Sequence, residues 1–190
     1  MEQNKSLYSR PELIEKIKEA IARSCATIEE RLHVANFIME IVNAPQSVIH
    51  ISVNKILGFV SYTYFFVVFD ERVNASLENR MQKLVDRIYD RIMYDFFPIG
   101  GLLIYLFCPE DYPLQMGEIN QLNELSDEFP GSLLWGMAST PTSSTPMLRA
   151  IVLATTFPEK EDNDIEHIEN SYERWKKSRK VQRRNRRKAI

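Results

Sequence analysis

At 190 residues and 44% hydrophobic content, the chain is long enough to bury one core, and it holds no apolar run of the roughly 18–20 residues needed to span a bilayer. Six glycines, nine prolines and two cysteines exclude a low-complexity chain and a disulfide scaffold. The formal net charge of −2 conceals an asymmetry: residues 171–190 hold ten Lys/Arg against Glu173 alone, leaving 14 basic and 25 acidic residues in positions 1–170. A basic end on an acidic body is the signature of an interaction tail. The polar start MEQNKSLYSR lacks the apolar stretch of a signal peptide, so a cytoplasmic protein is expected.

In chain order, residues 1–10 read as an extension, and Ser9-Arg10-Pro11-Glu12 as a helix start: a Ser able to cap, a Pro in the first turn and an acid favoured by the helix dipole. Ile14, Ile21, Ile28, Ala35 and Val42 then recur every seven residues, with Cys25, Leu32 and Met39 four residues after three of them. This stripe, broken only at Lys18, predicts one long helix over 11–44 that ends at Pro45. The repeat fits either a two-chain coiled coil or a helix buried along a globular domain.

Phe59–Phe69 is rich in aromatic and β-branched residues and reads as a strand. Leu77, Met81, Leu84, Val85, Ile88, Ile92 and Phe96 at 3–4 spacing predict an amphipathic helix over 75–97, capped by Asn74 and stopped by Gly100-Gly101. A strand at Gly101–Phe107, a helix over 113–129, and strands at Leu133–Ala138 and Arg149–Phe157 follow, with Thr140–Pro146 as a hairpin loop between the last two. The expected fold class is α+β: a long N-terminal helix, then a four-stranded β-α-β-α-β-β domain over 45–158, then a charged segment over 159–190, acidic before basic. Tyr172 and Trp175 with Ile165 and Ile168 have helical spacing, which predicts a helix docking by its first half.

The strings within residues 100–157 carry more than secondary structure. Gly101-Leu102-Leu103-Ile104, then Glu118-Ile119-Asn120, then Trp135-Gly136-Met137-Ala138, then Ala154-Thr155-Thr156-Phe157 occur in an order that resembles the C-terminal domain of FtsZ, the bacterial relative of tubulin. That domain has a G-[VL]-L-[VI] strand, an E-V-N helix start, an I-I-F-G-A strand and a V-x-V-I-A-T-G-F strand. The resemblance covers about 12–157, specific in 100–157 and weaker in 12–69, where the long helix resembles the family's central helix. It implies a loop after that helix, of the form P-G-L-I-N-x-D-F-A-D-V, whose carboxylates act on nucleotide bound by the next subunit.

Here the corresponding stretch is Pro45–Ile56, where His50, Ser52 and Asn54 or Lys55 stand in the places of the family's Asn and two Asp residues. No Asp or Glu occurs anywhere between Ile41 and Phe69, so the departure does not depend on register. The strings G-G-G-T-G-[ST], G-x-x-x-x-G-K-[ST] and G-x-G-x-x-G are likewise absent from the sequence. The resemblance without these elements implies a GTPase-deficient, FtsZ-like assembly module, not an enzyme, related to cell division or the cytoskeleton. Its partners would be a second copy or a tubulin/FtsZ-like GTPase.

Ile14, Ile21, Ile28 and Leu32 are the candidate contact residues on the helix. Arg179, Lys180, Arg183, Arg184, Arg186 and Arg187 are the candidates for binding nucleic acid or acidic membrane, which is the alternative reading of the chain; the same charges could instead neutralise the acidic body. A third reading is a small-ligand domain, although no small-molecule substrate is evident. No cofactor or metal is expected, since His33, His50 and His167 share no ligand spacing with Cys or acids. Cys25 and Cys108 read as packing thiols. Cys108-Pro109-Glu110-Asp111-Tyr112, where the family has a G-G-P-D-L turn, reads as a turn ahead of an acid–base site.

Overall fold

The computed structural model describes residues 10–22, 27–44, 47–61, 66–95, 99–129, 131–156 and 177. Its elements are α1 (Arg10–Ile21), α2 (Ile28–Val42), β1 (Ser47–Ile49), α3 (Val53–Ser61), β2 (Phe66–Asn74), α4 (Arg80–Asp95), β3 (Ile99–Pro109), α5 (Met116–Glu128), β4 (Ser132–Thr140) and β5 (Met147–Thr156). The strands form one five-stranded sheet in the order β1-β4-β3-β5-β2. β3 and β4 are parallel, joined through α5, and the other pairs are antiparallel.

Period-two burial on β3 and β5 divides the core into two layers. Leu102, Ile104, Leu106 and Cys108 of β3, with Leu148, Ala150, Val152 and Ala154 of β5, face α4 and α5. Leu103, Tyr105 and Phe107, with Ile151 and Leu153, face α1, α2 and α3. The result is a helix–sheet–helix sandwich with β3 at its centre, in which every β3 residue except Gly100 is buried.

The predicted helix over 11–44 is two helices. Thr27-Ile28-Glu29-Glu30 has the T-x-x-E pattern of a helix start, and α2 opens there, with the Arg31 amide bonded to the Thr27 carbonyl at 3.0 Å. The apolar stripe continues through this start and masks it in a periodicity reading.

The predicted strand over 59–69 is also divided. Ser52 opens α3, its hydroxyl accepting from the Lys55 amide at 3.4 Å, and Ile56 and Val60 are fully buried one turn apart. The strand proper, β2, begins at Phe66 and carries on to Asn74. An aromatic run that is apolar on both sides does not reveal its period, so the helix–strand boundary was not readable there.

Two smaller expectations are corrected. Asn74 does not cap a helix: its Oδ1 accepts from the Ser76 amide at 2.9 Å and the Ser76 hydroxyl at 2.8 Å, an Asx turn, and α4 starts only at Arg80. Residues 141–146 do not close a hairpin, because β4 and β5 lie on opposite sides of β3. Gly101 lies within β3, where a Cβ would come within 2.8 Å of the Phe59 ring and the Thr155 hydroxyl; its absence lets Phe59 approach the sheet. The predicted docking helix of residues 165–175 lies outside the described residues.

Candidate functional site

The first candidate region is the helical layer. α1 contributes Leu13, Ile17 and Ile21, α2 contributes Val34, Ala35, Ile38 and Ile41, and α3 contributes Ile56 and Val60 to one core beneath the sheet. Of the candidate contact residues, Ile21 is fully buried, Ile14 is half-buried and Leu32 is 54% exposed. Ile28 is the first residue of α2, and its side chain lies outside the description. The buried face of α1 is therefore 13/17/21, which shares Ile21 with the sequence stripe but replaces Ile14 by Leu13 and Ile17. Of the two options the repeat fits, the described residues show helices packed along a globular core, α1 lying against α2 and α3.

The second region is an ionic cluster where α2 meets the sheet. Arg149 of β5 donates from Nε to Asp70 Oδ2 at 2.5 Å and from Nη2 to Glu40 Oε2 at 3.1 Å, with Nη1 also on Glu40 Oε1. Arg72 donates twice to Asp70, at 3.0 Å each. Cross-strand register places Arg72 opposite Arg149, a like-charge pairing that the two carboxylates offset. Arg149 also stacks over Phe107 at 5.3 Å. Burial acts to raise the Asp70 carboxyl, but hydrogen bonds from Arg72 and Arg149 outweigh it and hold the carboxyl below its ordinary range. Beside the cluster lies an open cleft of about 510 Å³ whose wall includes Asn43, Thr140 and Arg149. With two cations bound to two carboxylates, the cluster ties α2 to β5 and β2 and leaves no acid poised against a base or nucleophile.

A third feature holds the other layer together. Arg80, 6% exposed in its side chain, donates from Nε and Nη2 to Glu118 at 2.7 and 2.8 Å. Its remaining donors go to the carbonyls of Ala75 at 3.0 Å, Tyr112 at 2.8 Å and Pro113 at 2.7 Å. All five guanidinium N–H groups are thereby used. Glu118 Oε2 accepts in addition from the Gln115 amide at 2.9 Å, which secures the start of α5. Sequence reading noted Glu118 only within a string and missed Arg80. The signal was present: Arg80 stands four and eight residues before Leu84 and Ile88, in phase with the buried face of its helix.

The remaining sequence candidates fall into structural roles. Glu110 donates its amide to the Thr140 carbonyl at 2.9 Å, Asp111 its amide to the Thr142 hydroxyl at 3.1 Å, and Tyr112 its amide to the Pro109 carbonyl at 2.9 Å, so Cys108 and Pro109 end β3 and residues 110–112 form a turn. Cys108 is buried, and burial pushes its thiol up to about 12, which keeps it protonated and unreactive. His33 makes an edge contact with Phe37 at 4.6 Å, and His50 is exposed. Ser52, in the place of a family Asp, is a helix cap. Among the described residues no group of three His, Cys, Asp or Glu residues could hold a metal, and no helix is long and apolar enough to cross a membrane. Cys25, His167, Arg179, Lys180, Arg183, Arg184, Arg186 and Arg187 lie outside the described residues.

No protein-family model matches the sequence, and no curated protein matches it. Among solved structures the chain has an FtsZ/tubulin-like fold. It is similar to TubZ in GDP-form protofilaments from Bacillus thuringiensis serovar israelensis, with a TM-score of 0.50 and 13% identity over 84% of this chain and 43% of that one. It is also similar to an empty FtsZ dimer from M. jannaschii (TM-score 0.48, 17% identity, 75% of this chain and 43% of that one). CetZ from Methanosaeta thermophila gives a TM-score of 0.46 at 15% identity, over 84% of this chain and 44% of that one. The chain spans less than half the length of each of these proteins.

Proposed function

We propose that this chain is a non-catalytic FtsZ-like assembly or regulatory module that associates with itself or with a tubulin/FtsZ-like GTPase. The observation that carries the reading is the segment after α2. It holds no carboxylate from Val42 to Val68, and its Ser52 opens a helix, so no acid from this stretch is available to position an attacking water on a neighbour's nucleotide. A fold of the filament-forming class, without that chemistry, retains the capacity to occupy or limit a lattice contact. Self-association ranks first because it needs no second gene product.

The purified chain is expected neither to bind nor to hydrolyse GTP, and to co-sediment with polymerising FtsZ or TubZ or alter the extent of its assembly. Micromolar GTP affinity with a phosphate-releasing activity that persists through further purification would overturn the non-catalytic reading.

The ten Lys/Arg of residues 171–190 favour a second reading, attachment to nucleic acid or acidic membrane. Its mark is salt dependence: with four or five phosphate contacts, affinity for duplex DNA falls on the order of a hundredfold or more between 50 and 200 mM salt, with little sequence preference. Deleting residues 171–190 should abolish that binding. If the full chain ignores DNA and acidic vesicles at low salt while the deletion changes oligomeric state, the charges serve the protein's own architecture.

A further inference from the structure

We propose that the cleft beside the ionic cluster binds a small zwitterion with an apolar body, of the class of a free amino acid with an aliphatic side chain. Its carboxylate rests on Arg72, its ammonium on Glu40, and its side chain against Met147 and Pro109. Binding of such a ligand goes beyond the assembly reading and does not depend on it.

The cleft follows from the strand order. β4 ends at Thr140 and β5 begins at Met147, on opposite sides of β3, so residues 141–146 cross the end of β3. With the C-terminal part of α2, this crossing bounds a space of about 510 Å³ at Pro109, the last residue of β3. That volume is within the range of small-molecule sites, and the carboxyl ends of parallel strands such as β3 and β4 are where ligands of α/β sheets lie.

The chemistry of the ligand follows from which polar groups of the wall keep hydrogen-bonding capacity. Arg80 uses all five of its N–H groups, but Arg72 uses two, both on Asp70. Among the described residues its other three N–H groups have no partner, and its side chain is 56% exposed. Glu40 is bonded to Arg149 alone among the described residues and is 42% exposed, so its oxygens can still accept. Asp70 already accepts from Arg72 twice and from Arg149 once. Arg72 and Glu40 both line the cleft. The Asp70 hydrogen bond and charge, and then the Glu40 charge, raise the Arg72 guanidinium, so Arg72 and Glu40 lie within electrostatic reach of each other. Two arginines and two carboxylates balance, and the carboxylates oppose a polyphosphate. A ligand with one charge of each sign meets no such opposition: its carboxylate matches the guanidinium fork, and its ammonium donates to Glu40. Thr140 and Thr145 add hydroxyls to the wall, and Phe107, Pro141 and Met147 add apolar surface.

The test titrates the full chain with L-leucine, N-acetyl-L-leucine, which lacks the ammonium, and L-leucinamide, which lacks the carboxylate. Calorimetry gives the affinities and backbone amide shifts give the place. L-Leucine is expected to bind saturably and to shift amides of residues 140–149. Loss of either charge should weaken binding about tenfold or more, the effect of losing a hydrogen bond to a charged group. Arg72→Gln should weaken L-leucine by a similar factor. Glu40→Gln should weaken L-leucine and leave N-acetyl-L-leucine unchanged, because the ammonium and the carboxylate belong to one contact. The three compounds on the unaltered chain decide the matter even if a variant fails to fold. No saturable binding of L-leucine, equal affinity for all three compounds, or shifts confined to residues 171–190 overturns the assignment. So does a folded Arg72→Gln variant that binds L-leucine as tightly as the unaltered chain.

Discussion

Replacing Glu118 with alanine is expected to lower stability by about 3–5 kcal/mol, because it leaves a buried guanidinium without its counter-charge. Arg80 keeps its three carbonyl partners in this variant, but its two contacts to a carboxylate are gone and water has little access to replace them. Arg80→Met should cost at least as much, since it removes the counter-charge of the carboxylate, which keeps only the Gln115 amide, and takes the Arg80 donors from three backbone carbonyls at once. Urea melts of the two variants check both statements, and equal midpoints for Glu118→Ala and wild type would overturn the account of this pair. The pH dependence follows the same geometry. Burial tends to raise the Glu118 carboxyl, but the Arg80 and Gln115 hydrogen bonds and the Arg80 charge prevail, and the group sits below its ordinary range. Its contribution is therefore fully present above the unfolded-state value, roughly 4.3, and is lost as pH falls through the lower folded value. Between pH 5 and pH 2 the stability of Glu118→Ala should decline less steeply than that of wild type.

Ile17→Asp is the second large effect. Ile17 is fully buried between α1 and its cradle, so an unpaired carboxylate there should cost about 4 kcal/mol or more and detach α1. Leu32→Asp, on an adjacent helix but 54% exposed, should stay within about 0.5 kcal/mol in the monomer. Denaturation at low protein concentration measures the contrast, and comparable losses in the two variants would mean that the burial assigned to α1 is wrong.

The contrast between these residues shows what the sequence makes legible. The 3–4 spacing of Met81–Ile92 announces its helix because one period persists and a buried face follows from it, while the run Leu102–Cys108 announces a strand by its shortness between Gly100-Gly101 and Pro109. The stripe from Ile14 to Val42 also persists, yet the chain folds back within it, because a local start at Thr27 competes with periodicity and tertiary packing selects the 13/17/21 face. Phe59–Phe69 was ambiguous for a different reason: residues apolar in every direction carry no phase. Strand order was hidden as well, since two strands close in sequence were assigned a hairpin although β3 lies between them. The ionic groups were the least legible, for Arg80–Glu118 and Glu40–Arg149 are pairings across distant elements, and local sequence records only that a charge stands on an apolar face.

The position of β5 between β3 and β2 also has a consequence for the order of events on the ribosome. Among the described residues β2 pairs with β5 alone, Phe66 with Thr155 and Asn74 with Met147, so its partner is synthesised after α4, β3, α5 and β4. Until then a nine-residue strand has no ladder to join, and β3 has β4 on one side and an open edge on the other. Long-range pairing of this kind slows folding and leaves edges available to other chains. A nascent chain arrested before residue 147 should thus be captured by chaperones or aggregate, and one extended past residue 156 should escape.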